Sequence, residues 1–545
     1  MECRARRLAQ GLLLVAVLTG LALACRGDAP VEGALRLLGY QATELQAVRF
    51  YARAVSTYEQ LADLLPTDPQ PLVCAGYIYL TQHRWPLAED AFNRALARRV
   101  DCTPAWAGLA EAVWRQGRSE QALLSWQTAL NYAADPAALR LRLALALLRL
   151  ERLSEAEHIL FELSLDEAQG VPAEPLSART DMPNATLAVL ESPTWGTEDG
   201  LPTLVPGLCR TAAPNSDAAS QRWSCAYLGV SDQQVAAVAR LYLAALRAPY
   251  DPEGSRQALS VLGDQVPPPA LNAREYLYQA LTPPQGEQLS AAGTVRRFGL
   301  ALAQLGQWAL ARPALARAVA LDDHDAEALA FLGYTEAQLG RAGLEWLQAA
   351  LAMRPEWPLG HYLLARYHLN RSAYQPASAA LETALRLDPG NVVAWLDAGR
   401  AYVGLGRYTE AETALRQAVA LAPKQLTCHL ALVDFYAGQP HLAAGPGLTA
   451  ARAAADLAPQ DPSAREALGW MYLLAGDLPQ AALHLRSALQ LDPDRASAHF
   501  RLGLLYRAQG DWAAARAEFL RTIDLDTDLG YRERALQALR ELPES

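Results

Sequence analysis

Few places in this 545-residue sequence join residue types at a spacing that chemistry needs. Asp322, Asp323, His324 and Asp325 bring three carboxylates and an imidazole together, donors that a divalent metal accepts. The same run lies in a polar turn between two apolar segments, where an aspartate caps the next helix, and capping is the reading adopted. His361 and His368 are seven apart, on one face of a helix, which suits a ligand pair. Both fall where neighbouring segments carry tryptophan and tyrosine, so they read as core packing residues. Gly445, Gly447 and Ala450 follow the G-x-G-x-x-A spacing of a dinucleotide-binding turn. That turn needs a strand before it, and the surrounding pattern is helical. No metal site and no cofactor is expected. The sequence has no H-E-x-x-H, G-x-S-x-G, P-loop, C-x-x-C or EF-hand pattern, and its nine histidines are scattered singly. An enzyme is therefore not expected; an unrecognised site in the middle of the chain is the alternative left open.

Composition narrows the class. Half of the residues are apolar, ample for a core, and the net charge is −10. That balance argues against a general polyanion binder, and no nucleic-acid partner is expected. Lys424 is the single lysine among 48 basic residues. Chemistry that needs an amine thus has one candidate, in a turn after Pro423.

The N-terminus points out of the cytoplasm. Arg4, Arg6 and Arg7 precede an apolar run from Leu8 to Ala24, ending in the small-residue stretch Leu21–Cys25. This order is that of an export signal. The cysteine directly after it resembles the lipobox of bacterial lipoproteins, with Cys25 as the lipidated residue. An uncleaved anchor and simple secretion stay open beside it. Each reading makes 1–24 a signal or anchor and exports the rest of the chain. Cys209 and Cys225 flank a loop-like stretch, and an exported chain is expected to hold them as a disulfide.

Helices must position whatever this chain uses. Trp395, Ala398, Gly399, Tyr402, Gly406, Tyr408, Ala411, Leu415, Ala418 and Pro423 form a pattern that returns along the chain. Gly469, Tyr472, Gly476, Ala481, Leu485, Ala488 and Pro493 repeat it, and Gly299 to Gly333 spans 34 residues. A fixed period of this size means stacked units. Each unit reads as two three-turn amphipathic helices. Gly399 and Ala411 let the pair approach, Tyr402 and Leu415 fill the space beside them, and Gly406 ends the first helix. In the N-terminal half Gly76, Tyr79, Ala88, Phe92 and Ala95 fit the same frame, and so do Trp106, Ala110, Gly117, Ala122 and Trp126 after them.

The pattern resembles the tetratricopeptide repeat, with Ala398 in place of its leucine and Leu415 in place of its phenylalanine. The resemblance implies an all-α superhelical solenoid in two arrays, at 25–163 and 290–527. Seven units of the second array begin near Val295, Leu329, His361, Trp395, His429, Arg465 and His499. The second unit is about two residues short, and two extra residues lie at "GQPHLAAGPGL". Between the arrays, 164–289 starts rich in proline, glycine and serine and then regains helical patterns. A last helix in 528–545 is expected to cap the final repeat.

In that family the first helix of each repeat lines a concave groove. Counting from the signature places Arg296, Arg366, Arg400, Arg501 and Arg507 there. Tyr334, Tyr362, Asn370, Leu396 and Trp470 join them. Glu327, Asp434 and Glu466 oppose the arginines. The expectation is a protein or peptide partner with acidic and apolar residues, docked without chemistry; the alternative is that these arginines pair with neighbouring carboxylates. Leu141, Leu145 and Leu148 fall on the equivalent N-terminal face and should be covered. The function implied is an exported, membrane-tethered interaction scaffold, with an envelope assembly or secretion factor as the second reading.

Overall fold

Alanine-, leucine- and arginine-rich runs of three turns, closed by glycine or proline, leave the chain little choice but short helices and tight turns. The computed structural model describes residues 51–134, 136–165, 232–262, 268–283, 289–525 and 530–543. Among the described residues there are 25 α-helices and no strand. The first is α1 (Tyr51–Leu64), with α2 (Gln70–Thr81) and α3 (Trp85–Arg98) after it, then α4 (Thr103–Arg115) and α5 (Ser119–Tyr132). Next come α6 (Ala137–Arg149) and α7 (Leu153–Leu165), then α8 (Asp232–Arg247), α9 (Pro252–Val261) and α10 (Pro268–Leu281).

The second array opens with α11 (Ala291–Gln304) and α12 (Trp308–Leu321), then α13 (Ala326–Gln338) and α14 (Leu344–Met353). It continues with α15 (Pro358–Leu369), α16 (Tyr374–Leu387), α17 (Val392–Gly404) and α18 (Tyr408–Leu421). Then come α19 (Leu426–Ala437), α20 (Leu448–Leu457), α21 (Pro462–Leu474) and α22 (Leu478–Leu491). The last are α23 (Ala496–Ala508), α24 (Trp512–Leu525) and α25 (Gly530–Arg540).

The chain forms two compact units. The described part of one comprises 51–143 and Phe519–Glu541, and that of the other 144–165, 232–518 and the residues from Leu542 on, apart from the short gaps given above. In the second unit α7, α8, α9, α10 and α11 pack in succession, so the helical part of the middle region continues a stack. Arg247 pairs with Glu157 at 2.9 Å and Arg240 donates to the Ser164 carbonyl, fastening α8 to α7. Leu141, Leu145 and Leu148 are all buried, as expected.

Each hairpin is held at one close approach. A Cβ built on Gly399 would lie 2.7 Å from the Leu415 side chain, so only glycine lets Leu415 of the second helix fill that place. Hairpins are then tied to one another by a recurrent bond. The tryptophan position of the signature donates to a carbonyl six residues earlier. Trp106 reaches Val100 at 2.7 Å and Trp395 reaches Pro389 at 2.9 Å. His361 bonds Pro355, His429 bonds Pro423 and His499 bonds Pro493, each through Nε2, at 2.8, 2.9 and 3.0 Å. Arg465 does the same to Pro459 with Nε. A carbonyl only accepts, so all six residues serve as nitrogen donors. This corrects the reading of His361 as a core residue: it is a partly exposed donor.

A second recurrent bond joins four signature tyrosines to the helix 20 residues before each. Tyr402 donates to Glu382, while Arg416, Arg452 and Arg486 donate to the hydroxyls of Tyr436, Tyr472 and Tyr506.

The turn between paired helices needs a left-handed residue. Glycine supplies it at Gly117, Gly306, Gly340, Gly406, Gly476 and Gly510, but His83, Glu151 and Ser372 hold the same place, Glu151 with φ +57°. Its carboxylate meets Arg312 at 3.0 Å and Arg341 at 2.7 Å, and Arg312 also bonds Glu336 at 2.8 Å. A non-glycine residue there costs about 1–2 kcal/mol, and this four-residue cluster over-determines it.

The two extra residues near Gly445 appear as a 3₁₀ turn (Pro440–Leu442) and a π turn (Ala443–Gly447) before α20. Pro446 has no N–H to give an α-helical ladder, which accounts for the wider turn. The G-x-G-x-x-A residues therefore sit in helical turns. The short second repeat contains the short helix α14, ten residues against fourteen in α16.

Arg532 of α25 is buried and donates to the Gln82 carbonyl at 2.9 Å, in the turn after α2. The carbonyl of Pro543, beyond that helix, accepts from Arg516 of α24. Cys102 and Cys428 are buried, and Cys74 is disulfide-bonded. The expected signal or anchor, Cys25, Cys209 and Cys225 lie outside the described residues. No helix among the described residues is long and apolar enough to cross a membrane.

Two variant sets test these constraints. Trp395→His should keep the thermal midpoint, because the donor survives, whereas Trp395→Phe should lose about 1 kcal/mol in urea unfolding. Glu151→Ala loses both ion pairs but keeps the strained backbone. Glu151→Gly also relieves the strain and should therefore unfold at a higher urea midpoint than Glu151→Ala, by about 1 kcal/mol.

Candidate functional site

First helices α17, α19, α21 and α23 stand side by side, each in contact with the next. On a helix, residues at i, i+4 and i+7 share a face. That rule groups Leu396, Arg400 and Val403 on α17, and Leu430, Asp434 and Ala437 on α19. It groups Glu466, Trp470 and Leu473 on α21, and Phe500, Leu504 and Arg507 on α23. The opposite side of each helix carries the small residues, such as Gly399, that receive the second helix. Arg400, Val403 and Asp434 are exposed, Leu396, Leu430, Trp470 and Leu504 are half-buried, and Glu466 is buried. The result is a face with apolar walls and few charges.

Further up the array the corresponding positions are closed. Tyr334 is 3% exposed and Tyr362 is 0% exposed, so neither presents a surface to a partner. The Tyr362 hydroxyl donates to Asp397 at 2.9 Å, and Arg366 pairs with the same carboxylate at 3.2 Å. Burial, then the Asp397 charge, push the Tyr362 phenol well above its ordinary range. Burial raises Tyr334 as well, against the pull of Arg366.

The expected arginine channel is thus largely compensated from within. Arg296 meets Asp325 at 2.7 Å and Glu327 at 3.4 Å. Arg501 meets Glu466 at 2.9 Å and lies over the Trp470 ring at 5.2 Å, while Arg495 closes on Glu466 from the other side. Arg400 differs: it is exposed, and among the described residues it has no ion pair. Asp434 is exposed at the surface, but the walls around it remove enough water to raise its carboxyl's pKa. Arg501 lowers it and Glu466 raises it further.

Of the ten residues singled out from sequence, Leu396, Arg400, Trp470 and Arg507 share this face. Arg501 joins it through its contacts with Trp470 and Glu466. Tyr334, Tyr362, Arg296 and Arg366 belong to buried or paired networks, and Asn370 is exposed at the C-terminal end of α15. Sequence reasoning placed Asp325 as a helix cap but missed its pairing with Arg296, and it missed Asp397. Both lie close to one repeat period after the arginine they neutralise, 29 residues for Asp325 and 31 for Asp397, so the period itself was the signal available.

Asp322, Asp323 and His324 bring ligand atoms within 4.8 Å of one another, but all three are exposed. Asp325 caps α13 by accepting from Glu327 and Ala328, as expected of that turn. His361 is committed to Pro355, and His368 packs edge-on against Tyr367 at 5.3 Å.

Family models described as tetratricopeptide repeat match residues 74–130, 108–172, 296–361 and 369–432, and one described as TPR repeat matches 469–510. These are tetratricopeptide repeats. The repeat chain is 28% identical over 132 residues to a peroxisomal targeting signal receptor of Eremothecium gossypii, which covers 24% of this chain. The chain spans 23% of the length of that curated relative. Among solved structures, yeast Tom70 is 14% identical with a TM-score of 0.36, over 93% of this chain and 95% of that one. A tetratricopeptide repeat protein from Parabacteroides merdae is 15% identical with a TM-score of 0.38, over 46% of this chain and 97% of its own.

The pairing pattern predicts a split among the arginines. Arg366→Ala leaves Asp397 buried beside a hydroxyl alone and should cost roughly 3 kcal/mol in denaturant unfolding. Arg400→Ala should stay within about 0.5 kcal/mol of the parent.

Proposed function

We propose that this repeat chain is a protein-interaction scaffold, and that a partner segment docks on the face formed by α17, α19, α21 and α23. That face carries the reading. Its walls are apolar, its helices are braced from behind, and Arg400, Val403 and Asp434 on it are exposed. The mechanism is non-covalent docking on a preformed surface, which saves the ordering cost that a flexible site would bear. The Eremothecium gossypii relative is by name a receptor for a targeting signal, which supports peptide binding by repeats of this kind.

The proposal places the chain outside the cytoplasm and tethers it through its N-terminus. Arg4, Arg6, Arg7, the apolar run and Cys25 support this, and so does the disulfide at Cys74, since such bonds persist in oxidising compartments.

Two measurements test the reading. Val403, 41% exposed, is replaced by arginine to fill the face without opening a cavity. A partner captured stoichiometrically from native membranes by the parent should be lost with Val403→Arg; retention of every partner would move the site elsewhere. Cys25→Ser should release the chain from the membrane fraction and abolish lipid labelling. A variant that stays membrane-bound would replace lipidation by an uncleaved anchor.

A further inference from the structure

Charge on the open face is sparse and unevenly committed. Arg296, Arg366 and Arg501 each have a carboxylate within 3.2 Å. Arg400 has none among the described residues, although it is exposed on the same row of first helices. Asp434 likewise has no ion pair among the described residues. It occupies the position of Arg400 one repeat later, on the helix that α17 contacts. Neighbouring helix axes lie about 8–10 Å apart. Two opposite charges therefore occupy equivalent positions on neighbouring helices with no ion pair between them, beside Leu396 and Val403 on one helix and Leu430 on the next.

Such a pair adds little to stability. Asp434 is exposed, yet the residues around it raise its carboxyl's pKa, and the Arg501 beside it is already engaged by buried Glu466. A cation brought by a partner would be favoured there. Arg400 holds a planar fork in an exposed position, the geometry that favours a carboxylate. Uncommitted charges set partner choice more than total affinity.

We infer that Arg400 and Asp434 determine the specificity of this face, selecting a linear peptide segment that carries a carboxylate and a cation beside an apolar side chain. Arg400 takes the carboxylate, Asp434 takes the cation, and the apolar side chain packs on Leu396, Val403 and Leu430. This rests on the docking reading above, and it adds a polarity: the order of the two charges along the segment is fixed.

The experiment uses a displayed library of random linear peptides, selected in parallel on the full parent chain, on Arg400→Asp/Asp434→Arg and on Val403→Arg. Circular dichroism melting of each variant establishes that it is folded, and the milder Arg400→Gln is the second probe should the double variant melt early. The parent should enrich peptides with an acid and a base in one order around an apolar residue. The double variant should enrich the opposite order, and a parent-selected peptide should bind it roughly tenfold more weakly or worse. Arg400→Gln should lose the acidic preference and keep the basic one. Peptides without a charge pair, or with equal affinity for parent and double variant, would overturn the inference while leaving docking on the face intact. Peptides whose binding survives Val403→Arg, or no enrichment on the parent, would overturn the docking reading itself.

Discussion

A three-turn hairpin covers only one side of each helix, so every repeat depends on the next to bury the rest. The bond from the tryptophan position to a carbonyl six residues back makes that dependence specific. It links the turn that ends one repeat to the first helix of the next. The position accepts tryptophan, histidine or arginine because a nitrogen donor is required and a particular ring is not. The tyrosine bonds to residues 20 positions earlier supply the same tie further along the first helix. With both ties in place, the free side of the first helices is fixed without any help from a partner.

That fixed side is where the electrostatics divide. A guanidinium near a buried wall needs a carboxylate, or the wall would hold an uncompensated charge. The array meets this by placing aspartate or glutamate close to one period from Arg296, Arg366 and Arg501. These pairs set register between repeats. They also remove the very arginines that residue types alone would nominate for binding. What is left for recognition is the smaller set that the pairing does not absorb.

The fold was legible because its signals are local and repeat in phase: Gly399 against Leu415, Gly406 in the turn, proline after the second helix. The covered leucines were legible for a related reason, since Leu141, Leu145 and Leu148 stand where water would otherwise reach them. The site was only half legible. Counting along the repeat finds which helix face a residue occupies, but not whether a neighbour closes that face. Tyr334 and Tyr362 have the right count and are buried, whereas Arg400 and Asp434 have the same count and are open. Glu151 was silent as well. Nothing local marks it as one of the three residues, with His83 and Ser372, that replace a turn glycine, and its ion pairs come from Arg312 and Arg341, more than 160 residues away.

The irregular repeat shows how a departure from the period can serve the face it interrupts. Two extra residues between first and second helix would normally push the second helix out of register. Here they are taken up by a 3₁₀ turn and a π turn packed between α19 and α21, with Ala443 buried against Tyr436 and Met471. The insertion is thus absorbed in the core between α19 and α21, and Arg501 of α23 still reaches both Trp470 and Glu466. Pro446 lies within the π turn and, lacking an N–H, cannot continue an α-helical ladder there.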